Sequence, residues 1–217
     1  MRLHRTVATA LALLALLARA HPALAQAPSD SAERASTGWD IQPSIGVARH
    51  SPVGYDWGIM ADRSHLFVGV DLRATVLHLG RVRLYYAPSL TPLLVLSHDR
   101  SDGSSEPQRS TAHGAGVAPF GVGLGVALTP RVSIFGASRV GFIQFDRVIP
   151  VPNAATFNVT LEWGAELEWR SRTGRALTVG YKFHHLSNVY TAMENPGVDA
   201  NVFTAGYGWH WRGPRRR

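Results

Sequence analysis

His185 and Ser187 lie two residues apart in the stretch "FHHLSN", residues 183–188. On an extended strand, side chains two apart leave the same face, with Cα atoms roughly 6.6–7 Å from each other. An imidazole in that position can take the proton of a neighbouring hydroxyl as the oxygen attacks a carbonyl. A third group, a carboxylate that holds the imidazole in the right tautomer, would complete a nucleophile–base–acid set. Asp199 is the first candidate and Glu194 the fallback. Asn188, or backbone N–H groups after it, could hold the developing oxyanion. A bare His-x-Ser is usually no more than two polar residues at a strand end, so the case depends on the strands that carry these groups.

Those strands show period-two alternation. Phe157, Val159, Leu161, Trp163, Ala165, Leu167 and Trp169 form one row, and Asn158, Thr160, Glu162, Gly164, Glu166 and Glu168 the other. Leu66 to Val76, Ala118 to Leu128, Val132 to Phe142, Leu177 to Phe183 and Phe203 to Trp211 repeat the pattern, with apolar Ala118, Phe120 and Val122 in one row. Two weaker strands, near 39–49 and 82–97, bring the number to eight; Pro88 and Pro92 make the second the less regular, since proline cannot donate to a ladder. Connections near 50–64, 98–111, 144–155 and 188–199 are long, and those at 78–80, 129–130 and 171–174 are short. Short turns at one end and long loops at the other predict an all-β, eight-stranded antiparallel up-and-down transmembrane barrel with both chain ends in the periplasm. A soluble lipid-carrying barrel would turn its apolar rows inward instead. Aromatic residues near strand ends, and opposite charges (Glu162, Glu166 and Glu168 against Arg73, Arg139 and Lys182) in the other rows, favour lipid outside and a polar lumen.

The ends and the composition agree. Arg2 and Arg5 precede the apolar run 7–18, and "ALA" at 23–25 offers a cleavage site, so 1–25 reads as a secretory signal peptide. Residues 26–38 read as a linker, 39–211 as the barrel and 212–217 as a basic tail. Cysteine is absent, which excludes disulfides and thiolate metal sites. Loss of Arg2, Arg5 and Arg19 with the signal lowers the formal charge from +7 to about +4, and Lys182 is the single lysine. Arginine suits phosphate on an anionic surface, but no nucleic-acid motif is present and export argues against that partner.

Parity places the hydroxyl, the imidazole and the acid. Leu177, Val179, Tyr181 and Phe183 face lipid, and His185 and Ser187 continue that row, whereas His184 points into the lumen. In the last strand the lipid row Phe203, Ala205, Tyr207 extends back to Asn201 and Asp199. The three groups therefore meet on the outer wall at the cell-surface rim. Here "FHHLSN" followed by "ENPGVD" resembles the outer-membrane lipid A 3-O-deacylases, a group that includes acyloxyacyl-hydrolase-like proteins. The resemblance is specific over 184–201 and otherwise covers the eight-strand layout. It implies a carboxylic ester hydrolase of the bacterial outer membrane that removes the 3-O-linked hydroxyacyl chain of lipid A, with no metal or cofactor. By resemblance Ser187 is the nucleophile, His185 the base, Asp199 the orienting acid and Asn188 a support of the oxyanion region. The family often carries Glu where this chain has Asp199.

Lipopolysaccharide in the outer leaflet is thus the expected partner, and a homodimer stays open. The acyl chain would lie along Tyr181, Phe183, Phe203 and Tyr207, with Arg100 and Arg109 near the phosphates. The alternatives are a structural or adhesive barrel without activity, a soluble lipid carrier, and a phospholipase-like esterase using the same three residues.

Overall fold

The computed structural model describes residues 38–48, 63–100 and 108–211. The signal peptide, most of the linker, the basic tail and much of two long loops lie outside the described residues. Nine strands form one antiparallel sheet: β1 (Trp39–Ala48), β2 (Ser64–Leu79), β3 (Val82–Tyr86), β4 (Ser89–Arg100), β5 (Gln108–Ala127), β6 (Val132–Ile149), β7 (Ala155–Arg170), β8 (Arg175–Ser187) and β9 (Val198–Trp211). β3 and β4 both lie between β2 and β5, so they are two halves of one stave, and β1 pairs with both β2 and β9. The sheet closes into an eight-stave barrel, which leaves no open edge.

The break in the split stave falls at Ala87–Pro88, where proline withholds a donor. Leu72 N–H donates to Pro88 O (3.0 Å) and Ala87 N–H to Gly121 O (2.9 Å), so the break is bridged. At Gly121 the backbones come so close that a Cβ would lie 2.1 Å from Ala87 O, which requires glycine.

Alternation survives the fold in β6–β9. Ile134, Val140, Phe157, Leu167, Leu177, Val179 and Phe203 are all exposed, as a lipid-facing wall requires. In β5 the sequence-based row does not hold throughout. The register slips between Val117 and Phe120, so Val117 and Phe120 face out while Ala118 is 5% exposed and faces in. Pro119 sits at this bulge, and one extra residue reverses the parity of everything beyond it.

Two further expectations are corrected. β6 runs on to Ile149 and β7 starts at Ala155, so the connection expected at 144–155 shrinks to 150–154. Similarly, β4 and β5 extend past the expected loop boundaries to leave 101–107. The strands continue above the membrane because polar outward residues such as Gln144 and Asp146 pair as readily as apolar ones. The lumen is also not polar throughout. Its outer half is largely a dry cluster of Phe67, Leu94, Leu96, Ile143, Phe145, Leu186, Val198 and Val202, each at most 3% exposed, although Arg63, His65 and His98 are buried at that end as well. The inner half holds the ion pairs. Arg73 donates to Glu168 (2.9 Å) and to Gln42 (2.6 Å) and pairs with Glu166, while Arg139 reaches Asp71 at 3.0 Å and Lys182 reaches Glu162 at 3.1 Å. A cavity of about 40 Å³ beside Asp71, Arg139, Glu162 and Lys182 has room for a water or two.

Candidate active site

The β8–β9 hairpin brings the first two groups together. His185 and Asp199 are direct cross-strand partners, and Ser187 lies two residues further along β8, opposite Val159 of β7. His185 Nδ1 lies 2.5 Å from Asp199 Oδ1. The carboxylate side chain is 3% exposed and the imidazole 18%. A buried carboxylate is tolerated because the ring offers it an N–H at short range. That bond assigns Nδ1 to the acid and leaves Nε2 as the ring nitrogen on the opposite edge of the imidazole.

This register is held from behind. Leu186, Val198 and Ala200 alternate with His185 and Asp199 on the same strands and are 1–2% exposed in the dry cluster. A slip of one residue would turn these apolar side chains out and Asp199 in, so the core fixes which face the site occupies.

Ser187 ends β8, and its Oγ is engaged by the loop that follows. Asn195 Nδ2 donates to Ser187 Oγ at 2.9 Å and Val189 N–H does so at 3.1 Å; Ser187 Oγ also lies 3.1 Å from Asn195 Oδ1. Asn188 is 3% exposed and serves the loop in this state: its Nδ2 donates to Glu194 O (2.7 Å) and its Oδ1 accepts from Tyr190 N–H (3.0 Å). Glu194, the fallback acid, instead accepts from Asn153 Nδ2 at 3.0 Å, so Asp199 is the carboxylate beside the imidazole. Asn195 was not singled out in the sequence. The Pro196–Gly197 pair after it marks the turn back to β9, with Gly197 at φ 68°, and proline holds the preceding residue extended. A side-chain amide immediately before such a turn, in the loop after a nucleophile, is the signal that could have found it.

The expected acyl-chain residues divide. Tyr181 and Phe203 are 43% and 65% exposed on the outer wall, in edge contact at 5.5 Å, and the Tyr181 hydroxyl donates to Asn201 Oδ1. Phe183 shares their row but is only 7% exposed, because Trp163 stacks on it at 4.2 Å. Arg109 is exposed and donates to Ser64 Oγ at 3.3 Å, while the Arg100 side chain lies outside the described residues. His184 points inward as expected and lies 3.4 Å from Glu162. Among the described residues no cluster of three metal-ligating side chains is found.

Comparison with known proteins adds an independent line. Residues 153–208 match the family model described as lipid A 3-O-deacylase (PagL). This segment holds β7, β8, the following loop and most of β9, and therefore all the residues above except Ser64, Arg100 and Arg109. Among curated protein sequences no match is found. The crystal structure of the outer-membrane enzyme PagL superposes with a TM-score of 0.53 at 13% identity, over 77% of this chain and 97% of that one. Ail of Yersinia pestis follows at 0.42 and 12% (81% and 99% covered), and OprG from Pseudomonas aeruginosa at 0.49 and 9% (82% and 98%). At such identities the likeness is one of fold, that of the bacterial outer-membrane β-barrel. The segment that builds the His185–Asp199 pair and presents Ser187 thus matches the lipid A 3-O-deacylase (PagL) family model, and it is carried on a barrel with the fold of an outer-membrane protein.

Proposed function

We propose that this barrel is a serine esterase of the outer membrane that removes the 3-O-linked hydroxyacyl chain from lipid A. The observation that carries the reading is the 2.5 Å contact between His185 and a buried Asp199 on the lipid-facing wall, with Ser187 on the same row. Ser187 Oγ attacks the ester carbonyl carbon and its proton passes to His185 Nε2. Asp199 holds the tautomer and steadies the imidazolium. Asn195 Nδ2 and the Val189 N–H already point at Ser187 Oγ, and a small shift would aim both at the carbonyl oxygen as it gains charge. Collapse breaks the bond to the sugar 3-oxygen, which takes the proton from His185. Water activated by the same ring then cleaves the acyl-serine ester and releases the hydroxy acid. The substrate is a membrane lipid, so the site needs no pocket: the chain can lie along Tyr181 and Phe203.

Expression of the chain in a Gram-negative host should yield lipid A lighter by one hydroxyacyl group. Ser187→Ala should abolish this while the barrel still inserts, and Asp199→Ala should slow it about 10²–10⁴-fold. Deacylation by the Ser187→Ala protein removes Ser187 from its role. Unchanged lipid A with a folded wild-type barrel leaves the structural or adhesive reading.

A further inference from the structure

The loop between β8 and β9 is tightly held yet strongly apolar at its tip. Asn188 O accepts from Thr191 N–H (3.0 Å) and Thr191 Oγ1 (2.7 Å), Asn188 Nδ2 and Asn195 Oδ1 close the two sides, and Glu194 N–H reaches Asn153 O at 3.2 Å. From this pinned frame Val189, Tyr190 and Met193 project with 54%, 81% and 88% of their surfaces exposed. Val189 and Tyr190 both hold left-handed backbone, φ 48° and 60°. This conformation disfavours side chains with a Cβ, and a β-branched one most of all. Glycine would occupy either position without strain, yet the chain places a valine and a tyrosine there. Residues 187–193 carry no charge. Strained, exposed and apolar residues in a rigid loop are what an interacting surface looks like.

The position of the patch identifies its occupant. The apolar outer wall rises through Tyr181 and Phe203 to a polar notch made by His185, Ser187, Asp199 and Asn195, and Val189 donates to the Ser187 hydroxyl from the far side of that notch. Apolar surface therefore flanks the notch below and above, and the lower part is already the face that meets lipid. We propose that Val189, Tyr190 and Met193 form an apolar lip that seats on the acyl chain of the substrate lipid and holds its ester over Ser187. The lip thereby selects acyl chains packed in a membrane over short soluble esters. This deepens the deacylase reading and rests on it.

Two measurements separate the lip from the chemistry. The chain has no cysteine, so Met193→Cys gives a single site for a spin label. In vesicles containing lipopolysaccharide the label should be accessible to oxygen and shielded from an aqueous nickel chelate. A label open to the chelate overturns the lip whether or not the protein is an esterase. The second measurement pairs substrates for Tyr190→Ser/Met193→Ser. With lipopolysaccharide in vesicles, kcat/KM should fall about ten-fold or more, mainly through KM, as expected when two buried apolar contacts are lost. With p-nitrophenyl butyrate in detergent it should stay within about two-fold, since uniform binding to a long chain is not used there. Equal losses on both substrates, or none on either, overturn the proposal. A wild-type protein inactive on both substrates sinks the deacylase reading instead, and the selectivity assigned to the lip falls with it even where the label is immersed. Tyr190→Gly supplies the control for folding: it should unfold at the same or a higher temperature yet lose the membrane substrate. A lower melting temperature with parallel loss on both substrates makes Tyr190 a packing residue and overturns its place in the lip.

Discussion

The outer half of the lumen is mainly apolar, whereas the inner half is held by ion pairs. Toward the cell surface Leu94, Leu96, Ile143, Leu186, Val198 and Val202 pack together, with Arg63, His65 and His98 also buried there, whereas toward the periplasm Arg73, Arg139 and Lys182 pair with Glu168, Asp71 and Glu162. Both arrangements close the barrel and both reach the back of the candidate site, the apolar one through Leu186, Val198 and Ala200 and the charged one through His184, 3.4 Å from Glu162. Apolar side chains give a strong reason for one register, because a slip turns them outward together. Charged residues in a partly wet interior tolerate more adjustment, since a cavity and long side chains can absorb it. The register of His185 and Asp199 is therefore fixed most firmly from the apolar half, through Leu186, Val198 and Ala200.

The difference can be tested by breaking each half in turn. The largest effect is expected from Glu162→Leu. It strips the buried partner of Lys182, leaves Arg139 and His184 without that carboxylate, and should cost about 3–5 kcal/mol in urea unfolding from lipid vesicles. Deacylation at a temperature where the variant is folded should persist, because Leu186, Val198 and Ala200 rather than Glu162 fix the register of His185 and Asp199. Leu94→Ala, at 0% exposure, should cost about 2–5 kcal/mol through the cavity it leaves. A Glu162→Leu cost well below that of Leu94→Ala would mean that water already solvates the inner charges, and the contrast drawn here would sharpen. The reverse result for activity, with Glu162→Leu silencing the enzyme and Leu94→Ala sparing it, would break it.

The smallest effect belongs to the strand extension above both halves, where the chain leaves the membrane. Asp146 accepts from the His113 backbone N–H (3.0 Å), and the His113 ring and Arg147 lie against the same carboxylate. The backbone N–H first, then the His113 ring, hold the Asp146 carboxyl down at about 2 from 3.8. A carboxyl lowered in the folded state contributes stability above 3.8, and that contribution is lost as pH falls from there through about 2. The His113 amide resonance should therefore titrate near 2, and a midpoint at 3.8 would show that the bond does not form. Asp146→Asn should leave the melting temperature nearly unchanged, because the pair is exposed.

Legibility in the sequence followed the same division. β6–β9 could be read residue by residue because their two rows differ in polarity, and that parity alone brought His185 and Asp199 to one face. In β4 and β5 both rows are largely apolar or glycine, so Leu94, Leu96 and Ala112 gave no sign of facing inward, and the dry outer lumen stayed hidden. The bulge at Pro119 reversed parity without any local mark beyond the proline itself. Loop residues have no period at all. Asn195 and the left-handed pair Val189 and Tyr190 depend on hydrogen bonds among residues 187–195, which composition does not encode.

The dry outer lumen has a consequence for traffic. A barrel filled on that side offers the candidate site little access from within, so under the proposed chemistry the water that releases an acyl group from Ser187 would arrive from the medium bathing the cell. The freed acid departs sideways among neighbouring lipids. Control over such turnover would then fall to whatever alters the packing or counter-ions of the cell surface.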